Sequence, residues 1–182
     1  MRTRVGYAGG TTGDPTYDNI GDHAETIQID FDPSVLSYGD LLKVFWSAHN
    51  PVYGGAYGQY RSMILYHSED QRRQAEASLA EEEGIRGARF TTVIAPLREF
   101  TPAELYHQKY YLQSDRVLLK EILARYPDRQ AIVDSTAAAR LNGYAAGYGD
   151  LESWEKELDR LGLTEEGAAY LIKGLKEPGR KP

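Results

Sequence analysis

Between Ala24 and Phe31 the apolar residues Ile27, Ile29 and Phe31 alternate with Thr26, Gln28 and Asp30. Beyond Ser114 the apolar residues Val117, Leu118, Ile122 and Leu123 recur at helical spacing instead. The chain therefore offers strands in its first half, with helices interleaved and then appended. This order points to an α+β domain with a C-terminal helical extension.

The punctuation agrees. Val5–Ala8 predicts a short strand stopped by Gly9-Gly10, with a polar loop from Thr11 to Asp22. Asp32-Pro33 turns the chain after the second strand. Ser37 with Asp40 reads as a capping box opening a helix striped by Leu41, Leu42, Phe45 and Ala48. Asn50-Pro51 ends it, and a Gly/Tyr loop runs from Val52 to Gly58. Ser62–His67 predicts a strand, Ser68 with Gln71 a capped helix to about Glu83, and Thr91–Ala95 another strand. Thr101, with Pro102 and Glu104 behind it, predicts a further helix start. Pro127 interrupts the helical half, Asn142-Gly143 and Gly162 punctuate its remainder, and a tail covers 177–182.

Composition narrows the chemistry. The chain has 182 residues, 4 His and no cysteine, so disulfides, thiolate metal sites and thiol nucleophiles have no residue to build on. A formal charge of −6 offers no basic stripe for nucleic acid. No apolar run approaches the roughly 20 residues of a membrane span, and Gly6-Tyr7-Ala8-Gly9-Gly10 is no signal-peptide segment. The expectation is a soluble, cytoplasmic protein with neither nucleic-acid nor membrane partners. His23, His49, His67 and His107 lack paired metal spacing, so no metal is expected, and no nucleotide or serine-nucleophile motif is present.

Two features carry chemistry. Glu25 shares strand parity with Ile27, Ile29 and Phe31, which predicts a carboxyl on an apolar face, where burial would favour its protonated form. The plain alternative is a strand-end residue facing solvent. Tyrosine is the other: 14 Tyr stand against 4 Phe, with Tyr53, Tyr57 and Tyr60 crowding one loop and Tyr106, Tyr110 and Tyr111 one predicted helix. Such hydroxyls can donate to a substrate oxygen, although most tyrosines simply pack half-buried with the hydroxyl wet. His49, at a helix end, reads as a capping or packed ring.

In order, Val5-Gly6-Tyr7-Ala8-Gly9-Gly10, Pro15-Thr16-Tyr17, Gly21-Asp22-His23-Ala24-Glu25, Asp32-Pro33, Leu36-Ser37-Tyr38, Leu41-Leu42, Phe45-Trp46, His49-Asn50-Pro51, Gln59-Tyr60-Arg61-Ser62 and Tyr106-His107-Gln108-Lys109-Tyr110 resemble the A-type peptide methionine-S-sulfoxide reductase family over roughly residues 3 to 113. The resemblance implies a two-layer sandwich: a mixed sheet with packed helices on a ferredoxin-like core. To this it adds a helical extension over 114–176 and a tail over 177–182. It implies reduction of methionine-S-sulfoxide in oxidised proteins or peptides. A cysteine thiolate attacks sulfur, Glu25 donates the proton, and the hydroxyls of Tyr17 and Tyr60 hold the oxygen. It implies no bound cofactor, only an external thiol reductant such as thioredoxin.

Three departures shape the expectation. The family's Gly-Cys-Phe-Trp-Gly motif belongs upstream of Val5 and is not in these residues. The stretch between Tyr17 and His23 is shorter than the common form. An ungapped reading puts Gly55 where the family carries an acid. With the nucleophile absent, this chain alone is expected to be inactive. The alternative is a non-catalytic module that binds methionine or its sulfoxide, or acts as a scaffold.

Overall fold

A computed structural model describes residues 1–52 and 58–176. The expectations for Tyr53, Gly55 and Tyr57, and for the tail, lie outside the described residues. The elements run β1 (Arg2–Ala8), β2 (Ala24–Asp30), α1 (Tyr38–Ala48), β3 (Met63–Tyr66), α2 (Glu69–Arg86), β4 (Val93–Pro96) and β5 (Phe100–Pro102). Helices complete the chain: α3 (Tyr110–Ser114), α4 (Arg116–Arg125), α5 (Arg129–Asp134), α6 (Thr136–Ala145), α7 (Leu151–Leu161) and α8 (Glu165–Lys176). The molecule is α+β: α1 and α2 are interleaved among the strands, and only helices follow β5. Both strand orientations occur, but in two small sheets. One has the order β2-β1-β5, with β1 and β5 antiparallel; the other pairs β3 and β4 in parallel.

The chain divides into two compact units. One contains Val5–Ile27 and Phe31–Ala103. Its core is Leu42, Trp46, Ile64 and Ala75, with Phe45, Leu79, Phe90 and Ile94 packed around them. The α1 stripe is turned slightly from the sequence expectation: Trp46 is buried and Ala48 exposed. The Trp46 indole donates to Ser78 Oγ at 2.6 Å, which gives its polar edge a partner inside that core. The predicted capping box is formed, with Ser37 Oγ accepting from the Asp40 amide and the Asp40 carboxylate accepting from the Ser37 amide. Ser68 caps α2 through the Gln71 amide. His49 Nδ1 donates to the Phe45 carbonyl at 2.9 Å and its ring stands edge-on to Phe45, a packed capping ring.

One predicted element is replaced. Thr101 does not open a helix: Phe100–Pro102 is β5, with Tyr7 opposite Thr101 and Ala8 opposite Phe100. The cap signature of Thr101, Pro102 and Glu104 is real, but the ladder to β1 competes for the same backbone and wins. Proline is tolerated because β5 lies at the sheet edge and Pro102 ends it. Helix resumes only at Tyr110, so Tyr106 precedes α3 rather than sharing it with Tyr110 and Tyr111.

The other unit contains Met1–Arg4, Gln28–Asp30 and the chain from Glu104 onward. Leu112, Leu118, Ile122, Leu141, Trp154, Leu161 and Leu171 form its core. Five of its helix starts carry a side-chain cap among the described residues. Asp115 accepts from the amides of Val117 and Leu118, Asp128 from that of Gln130, Ser135 from that of Ala138, Asp150 from that of Ser153, and Thr164 from that of Gly167. Gly162 ends α7 at φ 69°, where any Cβ would collide with the Arg125 guanidinium, so only glycine fits without rearrangement.

Candidate active site

The site grows out of the loop between β1 and β2. Gly9 leaves β1 at φ 80°, a conformation glycine adopts without strain. At the far end Asp22 closes the loop. Its carboxylate accepts from the amides of Thr11 and Thr12 at 2.8–2.9 Å and from both threonine hydroxyls at 2.8–3.0 Å. These donors hold the Asp22 carboxyl well below the usual carboxylate range, the Thr11 and Thr12 amides contributing most. His23, 5% exposed, completes the lock. Its Nδ1 accepts from the Gly10 amide at 3.3 Å, which leaves the proton on Nε2 to be donated to the Thr12 carbonyl at 2.8 Å. This histidine is consumed by structure.

The loop so fixed carries Tyr17 and delivers the chain to Glu25. The Glu25 amide donates to the Gln59 carbonyl at 2.9 Å, bringing the predicted acid to the residue before Tyr60. Arg61, next along, reaches back: Nη2 donates to the carbonyls of Gly9 and Asp22 at 2.7 and 2.8 Å. Glu25 and the backbone of Tyr60 are therefore neighbours, and Tyr17 sits on a loop whose two ends are stapled beside them. Tyr17 is 50% and Tyr60 74% exposed, so both side chains are open to solvent.

The burial expected of Glu25 is not there. Glu25 is exposed, and Ile27, two residues on, is 57% exposed. Strand parity does put Glu25 with Ile27, but in β2 the covered end belongs to the other parity, at buried Ala24. Alternation reports which residues share a face; it does not report whether anything covers that face. A carboxyl here is an accessible group at a strand end, the plainer of the two sequence readings.

Sequence reasoning passed over Asp22, His23 and Arg61 as builders of the site. Asp22 had a signal: an acid closing a loop that opens with two threonines, each offering an amide and a hydroxyl. Arg61 had none, because its partners are main-chain carbonyls distant in sequence. Among the described residues no group of three His, Asp or Glu side chains is arranged to hold a metal. No helix there is long and apolar enough to cross a membrane. Tyr106, Tyr110 and Tyr111 are 57%, 61% and 41% exposed, with the Tyr110 and Tyr111 rings edge-on to each other at the surface.

Comparison with known proteins matches residues 1–139 to the family described as peptide methionine sulfoxide reductase. Residues 130–173 match the helical domain of selenoprotein methionine sulfoxide reductase A. The chain is 42% identical over 178 residues to a Drosophila melanogaster peptide methionine sulfoxide reductase, covering 93% of this chain and 69% of that protein. It is 41% identical over 152 residues to the A5 protein of Oryza sativa, covering 80% of this chain and 59% of the relative. The chain thus spans roughly two thirds of the length of such relatives. Among solved structures, the methionine sulfoxide reductase A of Corynebacterium diphtheriae aligns at TM-score 0.54 and 31% identity, covering 63% of this chain and 64% of that one. Reduced Mxr1 of Saccharomyces cerevisiae aligns at TM-score 0.57 and 29% identity, covering 62% and 70%. With more than two thirds of its residues matched and its fold shared, the chain belongs to the peptide methionine sulfoxide reductase family.

Proposed function

We propose that this chain forms the substrate-binding and proton-donating part of a peptide-methionine (S)-S-oxide reductase, with the site carried by residues 1–113 and 114–176 acting as a helical extension. Glu25 donates the proton to the sulfoxide oxygen, and the Tyr17 and Tyr60 hydroxyls hold that oxygen. The observation that supports the reading is the 2.9 Å bond from the Glu25 amide to the Gln59 carbonyl, which makes the backbones of Glu25 and Tyr60 neighbours.

The chemistry needs a nucleophile as well. A thiol adds to the sulfoxide sulfur, the oxygen takes a proton from Glu25, and the products are a sulfide and a sulfenic acid. Two further thiols then return the sulfenic acid to a thiol, releasing water and a disulfide. The 182 residues contain no cysteine, so these residues by themselves lack the group that is oxidised. A selenol would serve the same step, and the family description matched by the helical region is that of selenoproteins. The substrate class is methionine-S-sulfoxide in oxidised proteins and peptides. The reductant is an external thiol of the thioredoxin kind, no resident cofactor is required, and the setting is cytoplasmic.

The missing thiol favours a second reading, a module that binds methionine or its sulfoxide without turning it over. Calorimetric titration with a methionine-S-sulfoxide peptide, alongside a dithiothreitol-driven reduction assay, tests the binding site that both readings require. Binding without turnover is expected of the 182-residue chain. No heat at millimolar peptide would end both readings. Turnover abolished by Glu25→Gln would show that an added thiol replaces the missing nucleophile, and would overturn the expected inactivity while leaving the acid role of Glu25 standing.

A further inference from the structure

The Tyr60 ring is 74% exposed, so packing does little to fix it. Whatever places its hydroxyl acts through the backbone, and the strongest backbone restraint next to it is Arg61. A single nitrogen, Nη2, donates to the Gly9 carbonyl at 2.7 Å and the Asp22 carbonyl at 2.8 Å. Those carbonyls are the two ends of the loop bearing Tyr17, and Asp22 lies three residues before Glu25. The guanidinium packs on bare backbone: a Cβ on Gly9 would stand 3.4 Å from Nη2 and 2.9 Å from the Met63 thioether. Arg61 Nε is buried and finds no hydrogen-bond partner among the described residues. A charged donor shared by two carbonyls supplies a short, directional staple.

We propose that Arg61 is the positioning residue of this site, setting the Tyr60 hydroxyl relative to Glu25 and to the Tyr17 loop by stapling Gly9 and Asp22. The proposal rests on the sulfoxide reading of the site. Arg61 touches no reacting atom in it; it acts on the residues that hold the oxygen.

The test uses the whole chain and two variants, Arg61→Met and Arg61→Lys. Each is titrated by amide NMR with a capped tripeptide containing methionine-S-sulfoxide and with its thioether twin. The wild-type chain is expected to prefer the sulfoxide. Arg61→Met is expected to lose about tenfold of that preference, roughly 1.4 kcal/mol, while binding the thioether twin as before. Arg61→Lys keeps the charge but ends one bond short of the Nη2 position and is expected to fall between. Equal weakening toward both peptides would reveal a merely structural arginine and overturn the proposal, as would an undiminished preference. Should Arg61→Met not fold, Arg61→Lys decides: a reduced preference supports the staple and an unchanged one overturns it. A wild-type chain with no preference overturns the sulfoxide reading itself, and the proposal falls with it by a separate result.

Discussion

Lys109 is held in a left-handed backbone conformation at φ 51° and is only 5% exposed. Its Nζ donates to the Thr3 carbonyl and, at 3.0 Å, to Thr3 Oγ1. Burial pushes the ammonium down to about 8, the Arg4 charge adds to the push, and Asp134 opposes it. The folded chain therefore gives up this proton at lower pH than the unfolded chain, whose lysine keeps it to about 10.5. Between those values the unfolded state binds more protons, so this residue makes stability rise with pH, by at most about 1.4 kcal/mol per unit. Urea midpoints at pH 7.5 and 9.5 should show the wild type gaining relative to Lys109→Met, and a constant difference would contradict the assignment. Asp22 differs in that the fold favours its charged form. Its depressed carboxyl contributes fully above the ordinary carboxylate range and loses that contribution progressively as pH falls below it. Asp22→Ala should raise amide exchange at Thr11 and Thr12 at neutral pH, measured residue by residue.

At the scale of elements, stability resides in caps because so many helices are short. Asp115 ends α3 and opens α4, and its other carboxylate oxygen accepts the Tyr170 hydroxyl from α8 at 3.0 Å. Asp115→Ala should cost more than an ordinary cap, about 2 kcal/mol, and Asp115→Asn less, by denaturant midpoint. Ser37→Ala removes one half of the α1 capping box and should cost about 1 kcal/mol. The caps at Ser37 and Ser68 were legible in the sequence, because a cap is a local bargain between one side chain and amides two or three residues away, whereas the one at Asp115 was not singled out there. Thr101 carried the same signature and was spoken for by β1. The backbone can make one set of bonds, and the competitor sat at Tyr7, far up the chain. The site divides the same way. Glu25, Tyr17 and Tyr60 stand out by residue type and motif, whereas the bond that brings Glu25 to Gln59 is between main-chain atoms and leaves no mark in side-chain identity.

At the scale of the molecule, the unit built on the C-terminal helices also needs the first four residues. Arg4 donates to Asp134 at 2.6 and 3.0 Å and to Asp30 at 3.2 Å, beside the Lys109 grip on Thr3. Removing Met1–Arg4 should destabilise the protein by about 2 kcal/mol, read as a lower thermal midpoint, although no helix is shortened.

The grip of Lys109 on Thr3 also bears on how the protein is made. The two residues are 106 positions apart, a delay on the order of ten seconds at ordinary rates of translation. β5, the strand that pairs with β1 on one side, is synthesised only shortly before Lys109. Until then that side of β1 leaves the ribosome as an unpaired strand edge, open to chaperones or to pairing with another nascent chain. Slowing elongation across the codons that separate β1 from β5 should therefore lower the soluble yield more than slowing it across the helices.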